Sequence, residues 1–149
     1  MRLSKYPRPP HLEGSGIQVD DDPDVVPDAT LAAIAGHTWV VEEKLDGANA
    51  AISFDGAGRL HLQSRGHFLD VDARGARERQ FNDFKTFARM HEDALLERLE
   101  DRYIVYGEWL GAVHTQCYDC LPARFLEFDV LDRASMRFLS TPARERLLA

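Results

Sequence analysis

An α+β fold built on an antiparallel sheet is what this chain predicts, and three observations predict it. Between positions 37 and 64, β-forming runs alternate with Asp-Gly turns. Between 76 and 99 the apolar residues switch to a helical period. After 101 two apolar runs return, each ending in acidic residues, as strands do where they meet solvent.

The elements follow in order. Residues 1–36 read as an extended lead-in, because Pro7, Pro9, Pro10, Pro23 and Pro27 with Gly14, Ser15 and Gly16 leave little room for regular structure. A short helix is expected over Asp28–Ala35, capped by Asp28 or Thr30 and stopped by Gly36. The strongest β signal is His37–Lys44, rich in Thr, Trp and Val and closed by Asp46-Gly47. A second strand is expected over Ala50–Phe54, and Asp55–Gly58 turns again. Arg59–Ser64 then alternates like a half-buried strand, which makes the region an antiparallel meander. From Ala76 to Leu99, Phe81, Phe84, Ala88, Leu95 and Leu99 fall on one helical face, predicting one long helix or two short ones. Arg102–Glu108 and Arg124–Val130 are expected strands, Arg133–Phe138 an edge, and Pro142–Leu148 a final helix.

The charge sum of −7 argues against a module that coats nucleic acid by electrostatics alone. The acidity is also local. Glu13, Asp20, Asp21, Asp22, Asp24 and Asp28 lie in a stretch with no Lys or Arg, so the rest of the chain is close to neutral. No apolar run approaches the ~20 residues of a membrane span, so no membrane association is expected. The start, Met1–Pro7, has no apolar core of a secretory signal, and two cysteines make no disulfide framework. A cytoplasmic location is the expectation. Cys117 and Cys120 form a lone CxxC that lacks the further ligands of a zinc site, with only His114 nearby. No residue pattern marks a metal site, and no Walker A string occurs.

Lys44 is one of only three lysines, with Lys5 and Lys85. A lysine amine becomes a nucleophile where burial or neighbouring positive charge favours its neutral form. The end of a buried strand just before a tight turn would supply burial and a fixed aim. A glycine after Asp46 would let the backbone turn sharply or let a phosphate approach. An edge-strand lysine before an ordinary Asp-Gly hairpin is the alternative.

The string Glu43-Lys44-Leu45-Asp46-Gly47-Ala48-Asn49 resembles motif I of the covalent nucleotidyltransferases, the ATP-dependent DNA ligases, RNA ligases and mRNA capping enzymes. Ser64-Arg65-Gly66 is similar to motif Ia, Val105–Trp109 to motif III and Phe125–Val130 to motif IIIa, all in the family's order. Asn49 narrows the branch, since DNA ligases usually carry Arg there and RNA ligases Asn. The lead-in Lys5-Tyr6-Pro7-Arg8 with His11–Ser15 also resembles the start of bacterial RNA ligase domains.

The resemblance implies a nucleotidyltransferase (ligase adenylation) fold and a site. In it Lys44 attacks the α-phosphate of ATP and holds AMP as a phosphoramidate for joining RNA ends. The backbone at Glu43 reads adenine, Arg65 binds the ribose and α-phosphate region, and Glu108 accepts from a ribose hydroxyl. Phe128 stacks on the base, and Asn49 lies near the phosphates. Asp46 shapes the turn, and a divalent cation, usually Mg2+, neutralises the phosphates. Each residue also has a plainer reading: Arg65 as a surface turn arginine, Glu108 and Asp129 as strand-end solubilisers, Phe128 as core.

Two family elements have no counterpart: a Glu-Gly motif IV and a Lys-x-Lys motif V. After Asp132 the chain has no Glu-Gly pair and no lysine. The expectation is a C-terminally incomplete nucleotidyltransferase domain over 37–149, a truncated product or one half of a two-chain protein. Its sheet would have an open edge, and it would adenylylate poorly alone. The other functions consistent with the sequence are a DNA ligase, a GTP-using capping enzyme, or a non-catalytic remnant that binds nucleotide or a partner.

Overall fold

The computed structural model describes residues 2–8, 32, 35–111 and 118–149. The chain divides into two compact units, Met1–Lys5 with Glu43–Ala149, and Tyr6–Glu42.

The larger unit is α+β, a six-stranded antiparallel sheet with helices. Its strands are β1 (Ala48–Phe54), β2 (Leu60–Ser64), β3 (Phe68–Leu69), β4 (Tyr103–Trp109), β5 (Phe125–Asp132) and β6 (Arg137–Phe138). The meander β1-β2-β3 is as expected, but β4 pairs with the other side of β1, giving the order β3-β2-β1-β4-β5-β6. Both edge strands are two residues long. Short edges offer little unpaired backbone to a wrong partner.

Alternation along β1 sends Ala48, Ala50, Ile52 and Phe54 to the core face and Asn49, Ala51 and Ser53 to the opposite face. The helical region covers the core face. It comprises a 3-10 segment Ala76–Phe81, α1 (Asn82–Met90) and α2 (Glu92–Leu99). The break between α1 and α2 falls at His91, so the sequence's alternative of short helices is the one realised. Phe84 is the centre of this layer: its ring stands 5.4 Å from Trp109, 5.2 Å from Phe125 and 6.3 Å from Phe81. Such ring contacts add to the large apolar area each aromatic buries. A final helix α3 (Thr141–Leu148), with Pro142 in its first turn, packs Leu147 and Leu148 on the same core.

The opposite face is also covered. The carbonyl of Ser4 accepts from Gln63 Nε2 at 2.7 Å and from the Tyr106 hydroxyl at 2.9 Å. Burial pushes the Tyr106 phenol above its usual range, although the Ser4 bond and Arg133 pull the other way. At the far end of the sheet Arg102 grips Asp132 with two N–H donors, at 3.1 and 2.7 Å. Hydrogen bonding to Arg102 outweighs burial and holds the Asp132 carboxyl well below its ordinary value.

One expected element is absent. No strand forms over His37–Lys44: residues 38–46 have no regular structure, and Trp39, Val40 and Val41 are 50%, 60% and 91% exposed. β-propensity reports fit to a pleated, half-buried surface, and no neighbouring strand pairs this run. The helix expected over Asp28–Ala35 lies almost wholly outside the described residues, as do Cys117 and His114. No helix among the described residues is long and apolar enough to cross a membrane.

Candidate active site

The register assembles most of the sequence-predicted residues at one end and on one face of the sheet. Asn49 of β1 lies directly opposite Glu108 of β4, and Glu108 lies opposite Leu126 of β5. Ala50 pairs with Ser64, so the next residue, Arg65, follows the end of β2 on the side where Asn49 begins. The loop carrying Glu43 and Lys44 enters β1 at this same end. None of these residues belongs to the hydrophobic core, which occupies the other face.

Lys44 differs from expectation. It is exposed on a loop instead of closing a buried strand. Neither Lys44 nor Arg65 has a hydrogen bond or ion pair among the described residues. Glu43 is likewise exposed. The loop itself is held firmly at its base. The Asp46 N–H donates to the Tyr118 hydroxyl at 2.8 Å, and the Gly47 N–H donates to Glu108 Oε1 at 3.0 Å. Glycine is required at 47 by close packing, since a Cβ there would lie 2.6 Å from the Trp109 carbonyl oxygen and 2.8 Å from Leu110 Cδ2. Glu108 therefore ties the Lys44 loop to β4, a role its strand-end position did not suggest. Tyr118 was missed altogether. It lies 72 residues beyond Asp46, where no local pattern could reveal the contact.

Arg65 and Gly66 form the tip of the β2–β3 hairpin. The Ser64 N–H donates to the His67 carbonyl at 2.9 Å, and Ser64 Oγ lies 2.9 Å from His67 Nδ1. Behind the tip, His67 Nε2 is 3.6 Å from Glu78 Oε1, and Glu78 Oε2 accepts from Lys85 Nζ at 2.6 Å. Lys85 is fully buried and also donates to the Ala73 carbonyl at 2.8 Å. Burial alone would push the Glu78 carboxyl up. The bond and charge of Lys85, the Asp70 N–H and His67 together bring it below its ordinary value.

Phe128 is half-buried and lies outside the core and outside the residues packed against it. It falls where the β4–β5 register shifts. Tyr106 pairs with Asp129 and Gly107 with Glu127, leaving Phe128 as the extra residue of a β-bulge. No group of three or more His, Cys, Asp or Glu side chains among the described residues is arranged to hold a metal ion.

Among the described residues, Lys44 and Arg65 thus lie unpaired at one end of the antiparallel sheet, and Phe128 stands at a bulge off the core. The RNA ligase family matches residues 37–149, and the chain belongs to that family. Comparisons with curated proteins and with solved structures return no significant match.

Proposed function

We propose that the chain is an RNA ligase module with the nucleotidyltransferase fold, working by lysine attack on ATP. The observation that carries this reading is the placement of Lys44. It is exposed and unengaged on a loop whose base is fastened to β4, at the sheet end that also presents Arg65 and the Asn49–Glu108 pair. The residues present suit a nucleoside triphosphate. Two cations, Lys44 and Arg65, have no hydrogen bond or ion pair among the described residues, and an aromatic, Phe128, lies off the core.

In the proposed step, deprotonated Lys44 Nζ forms a bond to the α-phosphorus of ATP, the bond to the bridging oxygen breaks, and pyrophosphate leaves with that electron pair. AMP remains on the lysine as a phosphoramidate. It is then passed to a 5′-phosphate end of RNA, where a 3′-hydroxyl displaces it. Arg65 holds the ribose and α-phosphate region with its planar fork of donors. Asn49 orients the phosphates, the Glu43 backbone reads adenine, and Phe128 stacks on it. Glu108 accepts from a ribose hydroxyl while also holding Gly47. A divalent cation, Mg2+, would supply charge neutralisation on the phosphates.

The test is incubation with α-labelled ATP and Mg2+, followed by intact-mass analysis. An AMP adduct is expected. Lys44→Ala abolishes it. Label that persists in Lys44→Ala removes the nucleophile assignment, and label from GTP in preference to ATP favours a capping-type activity. ATP binding with no adduct at any incubation time would overturn the transfer step and leave a nucleotide-binding module.

A further inference from the structure

Alternation in β5 contains a contradiction that only a bulge resolves. Leu126 faces the candidate site because it is opposite Glu108, and Asp129 shares that face because it is opposite Tyr106. Residues three apart in an unbroken strand point to opposite faces. Counted from Leu126, Phe128 belongs to the site face; counted from Asp129, it belongs to the core face. Its absence from the core shows which parity holds at the ring. A bulge re-aims a side chain but weakens the local ladder, so its geometry needs support from outside the strand pair.

That support comes from α3. The Arg144 side chain, only 8% exposed, donates through Nη1 to the Phe128 carbonyl, and its Nε lies 3.1 Å from Glu127 Oε2. One planar guanidinium thus spans two consecutive residues of the bulge. A buried guanidinium is costly unless paired in this way. The Glu127 contact is an ion pair without an aligned hydrogen bond, so the directed contact to the bulge is the Nη1 bond to the Phe128 carbonyl.

We propose that Arg144 is a positioning residue that fixes the β5 bulge and so keeps the Phe128 ring on the nucleotide side, where it stacks on the base of ATP. The inference rests on the reading of Phe128 as the base-stacking residue given above. Arg144 acts on the nucleotide through Glu127 and Phe128.

The experiment is a double-mutant cycle on ATP affinity, measured by calorimetry on the full chain in Mg2+. Phe128→Ala is expected to weaken ATP binding roughly tenfold or more, the scale of a lost aromatic–base stack. Arg144→Met is expected to weaken it to the same level, and the double variant no further. Arg144→Lys, which keeps the charge and loses the fork, falls between. Arg98→Gln controls for loosening of α3. Arg98 donates to the Leu147 and Ala149 carbonyls and makes no hydrogen bond to β5 among the described residues, so its loss is expected to lower the melting temperature and leave ATP affinity alone. If Arg144→Met does not fold, Glu127→Gln replaces it in the cycle. Full ATP affinity in a folded Arg144→Met, or additive losses in the double variant, overturns the proposal. Unchanged affinity in Phe128→Ala, or no ATP binding by the unmodified chain, overturns instead the reading on which it rests.

Discussion

Lys44 and Lys85 occupy opposite environments in the same molecule. Lys85, a residue of α1, is fully buried, its three-donor ammonium shared between the Glu78 carboxylate and the Ala73 carbonyl. Lys44 is exposed, with no partner among the described residues, on a loop whose own backbone is clamped by Glu108 and Tyr118. The difference teaches how to separate structure from chemistry in this fold. At Lys85 the charge is spent on holding three chain segments together, while at Lys44 the backbone is held and the charge is left available. A nucleophile needs the second arrangement, because an amine committed to a salt bridge is held protonated and out of reach.

Four substitutions break or sharpen this contrast, taken from the largest effect downward. Lys44→Ala should remove all AMP adduct and leave the melting temperature unchanged, since the exposed side chain makes no hydrogen bond or ion pair among the described residues; mass analysis beside a thermal melt checks both. Lys85→Met should do the reverse. It leaves the Glu78 carboxylate buried without its cation, a loss of about 3 kcal/mol or more in denaturant titrations, with ATP affinity nearly intact in whatever remains folded. The Glu78 carboxyl lies below 4.5 in the folded chain, so its contribution to stability is present above that pH and lost as pH falls through the lowered value. In Lys85→Met this acid-side loss should shrink, which a melt series from pH 6 down to about 3 would reveal.

Gly47→Ala tests the clamp itself. The new Cβ would collide with the Trp109 carbonyl and displace the loop, costing on the order of 1–3 kcal/mol and reducing adduct yield beyond what the stability loss explains. Tyr118→Phe removes one hydrogen bond from the Asp46 N–H and should cost about 1 kcal/mol. Its adduct yield should fall less than that of Gly47→Ala. Equal yields in the two variants would mean that the Lys44 loop does not depend on close packing at its base.

Local pattern made much of this protein legible. The strands at 48–54, 60–64, 103–109 and 125–132 and the helical stretch 76–99 announced themselves by period, because each buries one face against a partner. Motif order singled out Lys44, Arg65 and Phe128; the structure places the first two on exposed loops and the third at the β5 bulge. His37–Lys44 misled for a physical reason: Trp39, Val40 and Val41 carry the composition of a strand, yet pairing depends on a neighbour that composition does not specify. Lys85 stood in the sequence only as one of three lysines, because nothing local marks a helical lysine as the one whose ammonium is buried against Glu78 and Ala73.

The sequence by itself determined the α+β class, the order of the strands along the chain and the residue types available for chemistry. It did so because periodicity and turn residues are local properties. Only the tertiary structure decided that β4 joins the free side of β1, so that Asn49 meets Glu108 and the Arg65 hairpin tip begins beside them. It alone decided that Tyr118 and Glu108 hold the Lys44 loop and that Arg144 grips the bulge at Phe128. Those are contacts between residues 16 to 72 positions apart, and their energies belong to the packed state rather than to any stretch of chain.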